Sequence, residues 1–227
     1  MSIARAAANG TYETGLSPEL DRRAYRVAKR VFDVVFSGAV IAVAAVPSAL
    51  LCLAIRLESP GNPVYSQIRM GRIDCDGTLH PFRMYKFRSM YADADERLAE
   101  LLDQNEVEGA MFKMKDDPRV TRIGRFIRRH SIDEFPQFVN VFLGQMSVVG
   151  PRPPLPREIP EYSKRDFRRL TVKPGLTGPW QVSGRSDLSF DDMVELDLDY
   201  IEKRGVLYDL GLIARTIKVV FTGEGAA

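Results

Sequence analysis

The sequence predicts an α+β protein that is mostly helical, with a membrane anchor of the helix-break-helix type and a small domain that holds a short β-hairpin and amphipathic helices. Three observations lead to this class. An uncharged run covers residues 34–55, two alternating segments flank an Asp-Gly pair at 76–77, and arginines recur at every third position from Arg119 to Arg128. The part of the chain that follows the run, about 170 residues, is enough for one compact domain with its own core.

The uncharged run at 34–55 is about 22 residues long, which suffices for a helix that crosses a bilayer. Pro47 stands near its centre, where a proline removes one backbone hydrogen bond and clashes with the preceding turn. The run is therefore compatible both with a straight span and with a broken helix.

Basic residues flank this run on both sides. Since positive charge marks the cytoplasmic side of a membrane, both ends favour the same leaflet, and a helix broken at Pro47 could enter and leave on one face as a re-entrant anchor. A single-pass signal anchor is the alternative, and hydropathy alone favours it because spanning helices tolerate proline. A cleaved signal peptide is disfavoured by the 33 mostly polar residues that precede the run. The flanking cations are Arg22, Arg23, Arg26, Lys29 and Arg30 before the run and Arg56, Arg69 and Arg72 after it.

Composition excludes several kinds of site. The net charge of +2 conceals a basic first two thirds and an acidic stretch at 187–202, so whole-chain charge says little about partners. Cys52 lies in the apolar run and Cys75 in a predicted turn, which gives neither a disulfide framework nor a zinc site. His80 and His130 are too few for a histidine-based metal site, and the chain has no phosphate-binding glycine motif. Any chemistry must therefore rest on carboxylates, lysines and arginines.

Residues 63–70 and 81–88 alternate as strands do, and the Asp-Gly pair between them is a hairpin turn signal. Alternation places Lys86 and Arg88 on the same face of the second strand. Two neighbouring cations suggest an anion site, and an ordinary solvated strand face is the alternative.

The arginines at 119, 122, 125 and 128 are interleaved with apolar residues, which is typical of a basic amphipathic helix. Such a helix could lie on an anionic membrane surface or could simply present a solvated face.

Three other segments are also predicted to be helical. Residues 93–105 have the apolar spacing of a charged surface helix. The acidic residues between 191 and 202 predict a solvated helix face. The apolar segment at 208–221 fits an interfacial helix and a core helix equally well.

Asp133 and Glu134 directly precede a strongly apolar helical segment at 135–143. Ser131 and Glu134 fit a capping box, so the two carboxylates could simply stabilise the start of that helix. Because adjacent helical residues point about 100° apart, one carboxylate could instead face a phosphorus atom while the other holds a divalent cation.

Two rigid loops supply further cations. Arg152 stands between Pro151 and Pro153, which limits the backbone freedom that the loop would lose on clamping a phosphate. Residues 173–180 form a Gly/Pro-rich loop that includes the only Trp, and Arg185 follows shortly after it. Each loop could also be plain turn chemistry.

In their order along the chain, these motifs resemble those of the bacterial sugar transferases, the monotopic polyprenyl-phosphate phosphoglycosyl transferases of the exopolysaccharide-initiating type. The resemblance runs from about residue 29 to 216, and several independent motifs in order make chance a poor explanation. Its motifs are Lys29-Arg30, Asp33, Pro47, Lys86-Phe87-Arg88-Ser89-Met90, Asp116-Asp117-Pro118-Arg119-Val120-Thr121, Asp133-Glu134, Pro151-Arg152-Pro153 and Lys173-Pro174-Gly175-Leu176-Thr177-Gly178.

The resemblance implies a magnesium-dependent transfer of a sugar 1-phosphate from a UDP-sugar to undecaprenyl or another polyprenyl phosphate, with release of UMP. By this resemblance Asp133 is the nucleophile that forms a covalent phosphosugar intermediate, and Glu134, together with Asp133, holds Mg²⁺. Arg152 would grip phosphate, and Lys86, Arg128 and Arg185 match positions that line the site. Arg88 belongs to the predicted substrate-binding set through its place beside Lys86.

The same resemblance implies a domain plan and a location. Residues 1–28 would be a disordered basic arm, 29–57 the re-entrant membrane anchor broken at Pro47, and 58–227 the catalytic domain on the cytoplasmic face of the bacterial inner membrane. The implied partners are UDP-sugar, polyprenyl phosphate and membrane lipid, with no nucleic acid, and a homodimer is left open.

Other readings stay open at this point. A membrane-bound phosphohydrolase could use the same carboxylates and metal with water as acceptor, and a non-enzymatic scaffold could bind anionic lipid through the arginines. Val46 stands where many relatives have Ser, and the chain lacks the several N-terminal spanning helices of larger members, so we expect either a minimal form or a truncation. Glucose or galactose is the expected sugar.

Overall fold

The computed structural model describes residues 23–74, 76–94, 96–97, 114, 117–183 and 188–222. Short 3₁₀ turns cover Ile132–Glu134, Ile159–Glu161, Arg168–Thr171 and Trp180–Val182. The described chain is mostly helical with a short antiparallel hairpin, which confirms that part of the predicted class. In chain order its elements are α1 (Arg23–Glu58), β1 (Val64–Ile73), β2 (Leu79–Phe87), α2 (Arg122–Arg129), α3 (Gln137–Leu143), β3 (Ser147–Val149), α4 (Lys164–Phe167), β4 (Gly175–Thr177), α5 (Phe190–Lys203) and α6 (Val206–Thr222).

Helix α1 is 36 residues long and continues through Pro47. The predicted interruption of the helix at that residue is therefore wrong at the level of secondary structure. A proline removes only one backbone N–H donor from the helix, and the helix can continue past it by bending. Of the helices in the described ranges, α1 alone is long and apolar enough to cross a membrane by length and composition.

Both terminal parts of α1 pack on the domain, whereas its middle does not. Near the N-terminal end, the buried Asp33 carboxylate accepts hydrogen bonds from Ser147 Oγ at 3.0 Å and from the backbone N–H of Val148 at 2.9 Å. Near the C-terminal end, Ile55 lies in a buried cluster with Phe87 and Ile127. Between them, the exposed fractions are 81% for Val43, 69% for Val46 and 64% for Leu50.

Polar contacts add to both attachments. The Arg30 guanidinium donates to the carbonyls of Val141 and Phe142, each at 2.8 Å, and so satisfies acceptors at the C-terminal end of α3. The Lys29 ammonium lies 2.6 Å from the Asp209 carboxylate of α6. At the other end of α1, the Glu58 carboxylate accepts from the first backbone N–H groups of α2. Helix α1 is thus fixed to three different helices.

Strands β1 and β2 form the predicted antiparallel hairpin, with Val64 opposite Phe87. Gly77 has φ +83°, a value that favours glycine, and its N–H donates to the carbonyl of Asp74 at 3.0 Å. The turn and the two strands were predictable because their signals are local. Each strand differs from the predicted range by one to three residues at an end.

The basic helix is shorter than its arginine repeat predicts. Helix α2 begins at Arg122, after Thr121 caps its N-terminus by accepting from Gly124 N–H at 2.8 Å. Arg119 lies outside the helix and is buried in a salt bridge of 2.6 Å with Asp117, so the expectation of four arginines on one helix is wrong. An acidic partner two residues away outweighs continuation of the helical period.

The core of the domain forms where β3 and β4 pair in parallel beneath α3 and α5. On α5 the expected solvated acidic face is wrong for Asp197, which is fully buried in a 2.6 Å salt bridge with Arg169. Burial raises the pKa of Asp197 to about 6 despite this arginine. The largest buried side chains of the core include Tyr200, Met146, Val141, Val149 and Val194.

The last helix has one side in the core and another side exposed. In α6, Asp209 and Leu212 are buried, whereas Leu207, Leu210 and Ile217 are exposed. Residues 1–22 of the predicted arm at 1–28, most of the predicted helix at 93–105, and Cys75 lie outside the described residues, whereas residues 23–28 of that arm are helical and begin α1.

Candidate active site

Asp133 and Glu134 lie in the 3₁₀ turn between α2 and α3. Ser131, just before it, has φ 53°, a left-handed conformation that is uncommon outside glycine, and its side chain caps nothing. The predicted capping box of Ser131 and Glu134 is therefore wrong. The Glu134 carboxylate turns instead toward a lysine on the hairpin, and its side chain is 39% exposed, whereas the Asp133 side chain is only 13% exposed.

Lys86, near the end of β2, meets both carboxylates. Its ammonium donates to Glu134 Oε1 at 2.7 Å and lies 4.0 Å from Asp133 Oδ2. Three residues that were predicted to share a site are thus brought together from two separate elements. We call Lys86, Asp133 and Glu134 the carboxylate cluster.

Asn140 holds the two elements of this cluster in register. Its amide oxygen accepts from Tyr85 N–H at 3.1 Å, and its amide nitrogen donates to the Arg83 carbonyl at 2.7 Å. Both bonds join α3 to β2 directly beside Lys86, and Asn140 is fully buried. Sequence reasoning missed this residue, although a single Asn within the apolar segment 135–143 was a signal for a buried polar contact.

The Asp133 carboxylate sits in a poorly solvated environment. Burial raises its pKa to about 6, and the negative charge of Glu134 adds to the rise, while the positive charges of Lys86 and Arg128 oppose it. At neutral pH the group is ionised but weakly hydrated. A carboxylate in that state is suited to attack an electrophile, because it has little water to shed.

The chemistry of the cluster also fits Mg²⁺. This ion is usually held by one or two carboxylates and by the oxygens of a substrate phosphate, so a larger protein cage is not needed. Asp133 and Glu134 supply two neighbouring carboxylates. Within the described ranges, no group of three or more His, Cys, Asp or Glu side chains could hold a metal on its own.

The predicted arginines fall in different places. Arg128, at the end of α2, is exposed and its charge reaches Asp133. Arg88 turns away from the cluster, because its guanidinium donates to the carbonyls of Ser59 and Pro60 beyond the end of α1. Arg185 lies outside the described residues.

Arg152 and Trp180 come together in the loops that follow β3 and β4. The Arg152 guanidinium lies over the Trp180 ring, 5.9 Å from its centroid, and the flanking Pro151 and Pro153 are buried. The rigid loop that the sequence predicts is therefore present, with its arginine presented on an aromatic surface.

Arg69 is a charged residue of this region that sequence reasoning counted only among the membrane-flanking cations. Its side chain is buried, and Nη1 donates to the Pro153 carbonyl at 3.1 Å. Gln67 and Arg69 alternate on one face of β1, a pattern that marked a polar strand face without showing that it would be buried.

Comparisons with known proteins identify relatives of this chain. The family model described as bacterial sugar transferase matches residues 24–223. The chain is 45% identical over 202 residues to a protein named galactosyl transferase CpsE of Streptococcus agalactiae serotype III, covering 88% of this chain and 43% of that protein. It is 40% identical over 212 residues to an undecaprenyl-phosphate galactose phosphotransferase of Salmonella typhimurium, covering 91% of this chain and 43% of that protein.

A third relative is similar in length. The chain is 35% identical over 204 residues to the exopolysaccharide production protein ExoY of Rhizobium meliloti, covering 88% of each protein. By contrast, the chain spans less than half the length of the CpsE and Salmonella proteins.

Proposed function

Because this chain belongs to the bacterial sugar transferase family, we propose that it transfers a sugar 1-phosphate from a UDP-sugar to polyprenyl phosphate and releases UMP. The observation that carries the proposal is the carboxylate cluster, in which a desolvated Asp133 stands beside a lysine and a second acid. Such a group can attack phosphorus while neighbouring cations offset the charge of the phosphates.

In the first step, an oxygen of the Asp133 carboxylate attacks the phosphorus that bears the sugar. A bond from Asp133 to that phosphorus forms, the bond from the phosphorus to the bridging oxygen of UDP breaks, and UMP leaves with that oxygen. In the second step, a phosphate oxygen of the lipid attacks the same phosphorus and Asp133 leaves as a carboxylate. The products are UMP and a polyprenyl diphosphate sugar, and no outside reactant is consumed.

The residues of the site have distinct tasks in this scheme. Lys86 offsets charge at Asp133 and restrains Glu134, and Arg128 adds positive charge from the end of α2. Asp133 and Glu134 would hold Mg²⁺, which when bound would neutralise charge on the transferring phosphates. Arg152 would bind phosphate, while Arg185 remains a proposed contact of the site on the strength of the family resemblance.

We further propose that α1 is a re-entrant anchor in the cytoplasmic leaflet of the bacterial inner membrane. The segment from Asp33 to Ile55 would rise about 33 Å if straight, which is close to the hydrocarbon thickness of a bilayer. A straight span would carry one of these residues away from a domain on one side of the membrane. Both pack on the same domain, which supports a bend at Pro47.

The neighbouring surface supports an active site at membrane level. Ile132, directly before Asp133, packs in the cluster around Ile55 of α1. Exposed apolar side chains continue this surface, and a lipid phosphate at headgroup depth would be within reach of the cluster. These side chains are Phe126 of α2, Phe135, and Val139, Phe142 and Leu143 of α3.

The activity is tested by UMP release from purified protein in lipid nanodiscs, with a panel of UDP-sugars and with or without undecaprenyl phosphate. We expect acceptor-dependent release, with a hexose such as glucose or galactose as the preferred sugar. Steady release without acceptor would indicate a phosphohydrolase instead. We also expect Asp133→Asn to abolish release while the protein stays in the membrane fraction, whereas retained turnover would exclude Asp133 as the nucleophile.

A further inference from the structure

Arg69 differs from the other deeply buried arginines. Arg119 and Arg169 each form a 2.6 Å salt bridge with an aspartate. The exposed fraction of Arg69 is 7%, yet its hydrogen bonds go only to neutral acceptors, namely Gln67 Oε1 at 2.8 and 3.1 Å and the Pro153 carbonyl at 3.1 Å. No carboxylate of the described residues lies within salt-bridge distance of it. A buried cation without a salt-bridge partner is costly, which favours the binding of an anion beside Arg69.

A second guanidinium adds to the positive charge at this place. Arg152 precedes the residue whose carbonyl Arg69 binds, and within the described part of the chain its own guanidinium makes no hydrogen bond. Burial and, after it, the positive charge of Arg152 lower the pKa of Arg69 to about 10, while the negative charges of Glu158 and Glu134 oppose this fall. Two arginine charges therefore interact here, and the donors of Arg152 are still available.

Trp180 adds one more donor to the same place. Its indole Nε1 is buried and has no hydrogen-bond acceptor among the described residues, although its ring lies beneath Arg152. A buried N–H without an acceptor is uncommon in native proteins and calls for a bound group. We call the surface formed by Arg69, Arg152 and Trp180 the arginine subsite.

We propose that the arginine subsite binds the phosphate of the nucleotide that leaves, with Arg152 and the Trp180 N–H in contact with it and Arg69 as a positioning residue. This inference rests on the proposed function. Arg69 acts in two ways. Its hydrogen bond to the Pro153 carbonyl fixes the position of the loop. Its buried positive charge acts on the bound phosphate. The negative charge of Glu134 also reaches Arg69, so the subsite adjoins the carboxylate cluster.

The nucleotide fits this subsite better than the lipid acceptor does. The carboxylate cluster meets the anchor through Ile132, whereas the subsite is built from β1, the Pro151–Pro153 loop and the 3₁₀ turn Trp180–Val182. One substrate phosphorus must bind at Asp133, and the adjoining phosphate of a nucleoside diphosphate would then fall on the arginines. A lipid phosphate would instead approach from the side of α1.

The test measures binding of UMP and of uridine to the full chain in nanodiscs by calorimetry. We expect Arg69→Met to weaken the binding of UMP at least tenfold, or about 1.4 kcal/mol, and the binding of uridine less than twofold. Arg69→Lys should recover part of the loss. Arg72→Met is the matched control, because Arg72 is an exposed arginine of the same strand paired with Asp74, and it should leave UMP binding unchanged.

Arg152→Gln provides a variant that leaves the buried side chains intact. It should weaken the binding of UMP as Arg69→Met does. The double variant should lose less binding free energy than the sum of the two single losses. Unchanged UMP affinity in Arg69→Met would overturn the proposal, as would an equal loss of UMP and uridine, which would mean that the loop had merely collapsed.

The source of the phosphate is tested in a separate titration with undecaprenyl phosphate. A loss confined to the lipid would reassign the subsite to the acceptor and overturn the nucleotide assignment, whereas unchanged lipid binding supports it. UMP binding is measured without turnover, so it does not depend on whether Asp133 is the nucleophile. Failure of the proposed nucleophile and failure of this subsite therefore give different results.

Discussion

The Lys86 ammonium lies 2.7 Å from Glu134 Oε1 and bridges the end of the hairpin to the turn that carries both acids. The same ammonium lies 4.0 Å from Asp133 Oδ2. One lysine thus restrains one carboxylate and lowers the pKa of the other, so its removal has both a geometric and an electrostatic effect.

Lys86→Met is expected to lower the rate of UMP release by about 10²- to 10³-fold, because a charge that faces the transferring phosphate is lost. The acid limb of the pH-rate profile should also move to higher pH, since Lys86 opposes the rise in the pKa of Asp133. Lys203→Met, at an exposed lysine paired with Asp199, is the control and should leave both unchanged. A normal rate in Lys86→Met would remove Lys86 from the site.

Asp133→Asn should stabilise the metal-free protein at high pH. The folded protein holds the Asp133 proton more tightly than the unfolded chain, since its pKa rises from 3.8 to about 6. The free energy of unfolding therefore falls by about 3 kcal/mol as pH rises from about 4 to 6, and a neutral amide avoids this loss. Thermal unfolding in EDTA should give a higher Tm for the variant at pH 8 and nearly equal values at pH 4. A lower Tm at pH 8 would contradict the burial of Asp133.

Asn140→Leu should reduce both stability and turnover. The change leaves the Tyr85 N–H and the Arg83 carbonyl without their buried partner, which costs about 2 to 4 kcal/mol. Loss of the register between β2 and α3 should also lower kcat more than it raises KM for UDP-sugar. Gln145→Ala removes only one acceptor of Asn140 and should cost less than about 1 kcal/mol. Equal effects of the two variants would argue against the positioning role of Asn140.

The orientation of the anchor is tested by labelling single cysteines in a chain with Cys52 and Cys75 replaced by serine. Leu20→Cys and Pro60→Cys, on the two sides of α1, should both react with an impermeant maleimide in inside-out vesicles. Neither should react in intact spheroplasts. Labelling of the two positions from opposite sides would show that α1 spans the membrane.

Local signals explain what could be predicted from the sequence. The hairpin follows from alternation and the Asp-Gly turn, and the apolar length of α1 follows from composition. Arg119 and Asp197 were misjudged for a common reason. A charged residue is normally solvated, and only the fold shows that Arg119 is buried beside the neighbouring Asp117 and that Asp197 is buried beside Arg169 from an earlier part of the chain.

The geometry of the site could be predicted less well from the sequence. Nothing in the spacing of Lys86 and Glu134 brings them together, because their contact spans two elements whose docking depends on Asn140. Alternation alone did not predict that the Arg88 side chain would instead bind carbonyls after α1. The resemblance to a known family supplied the roles, and the packing of α3 on β2 supplied the positions.

The most direct test of the account is the mass of the intact protein after incubation with Mg²⁺ and UDP-sugar in the absence of lipid acceptor. We expect the chain to gain the mass of one sugar phosphate, to carry it on Asp133, and to lose it when undecaprenyl phosphate is added. Asp133→Asn should gain nothing. Turnover without any adduct on the native chain, or the same adduct on Asp133→Asn, would contradict a covalent mechanism through Asp133.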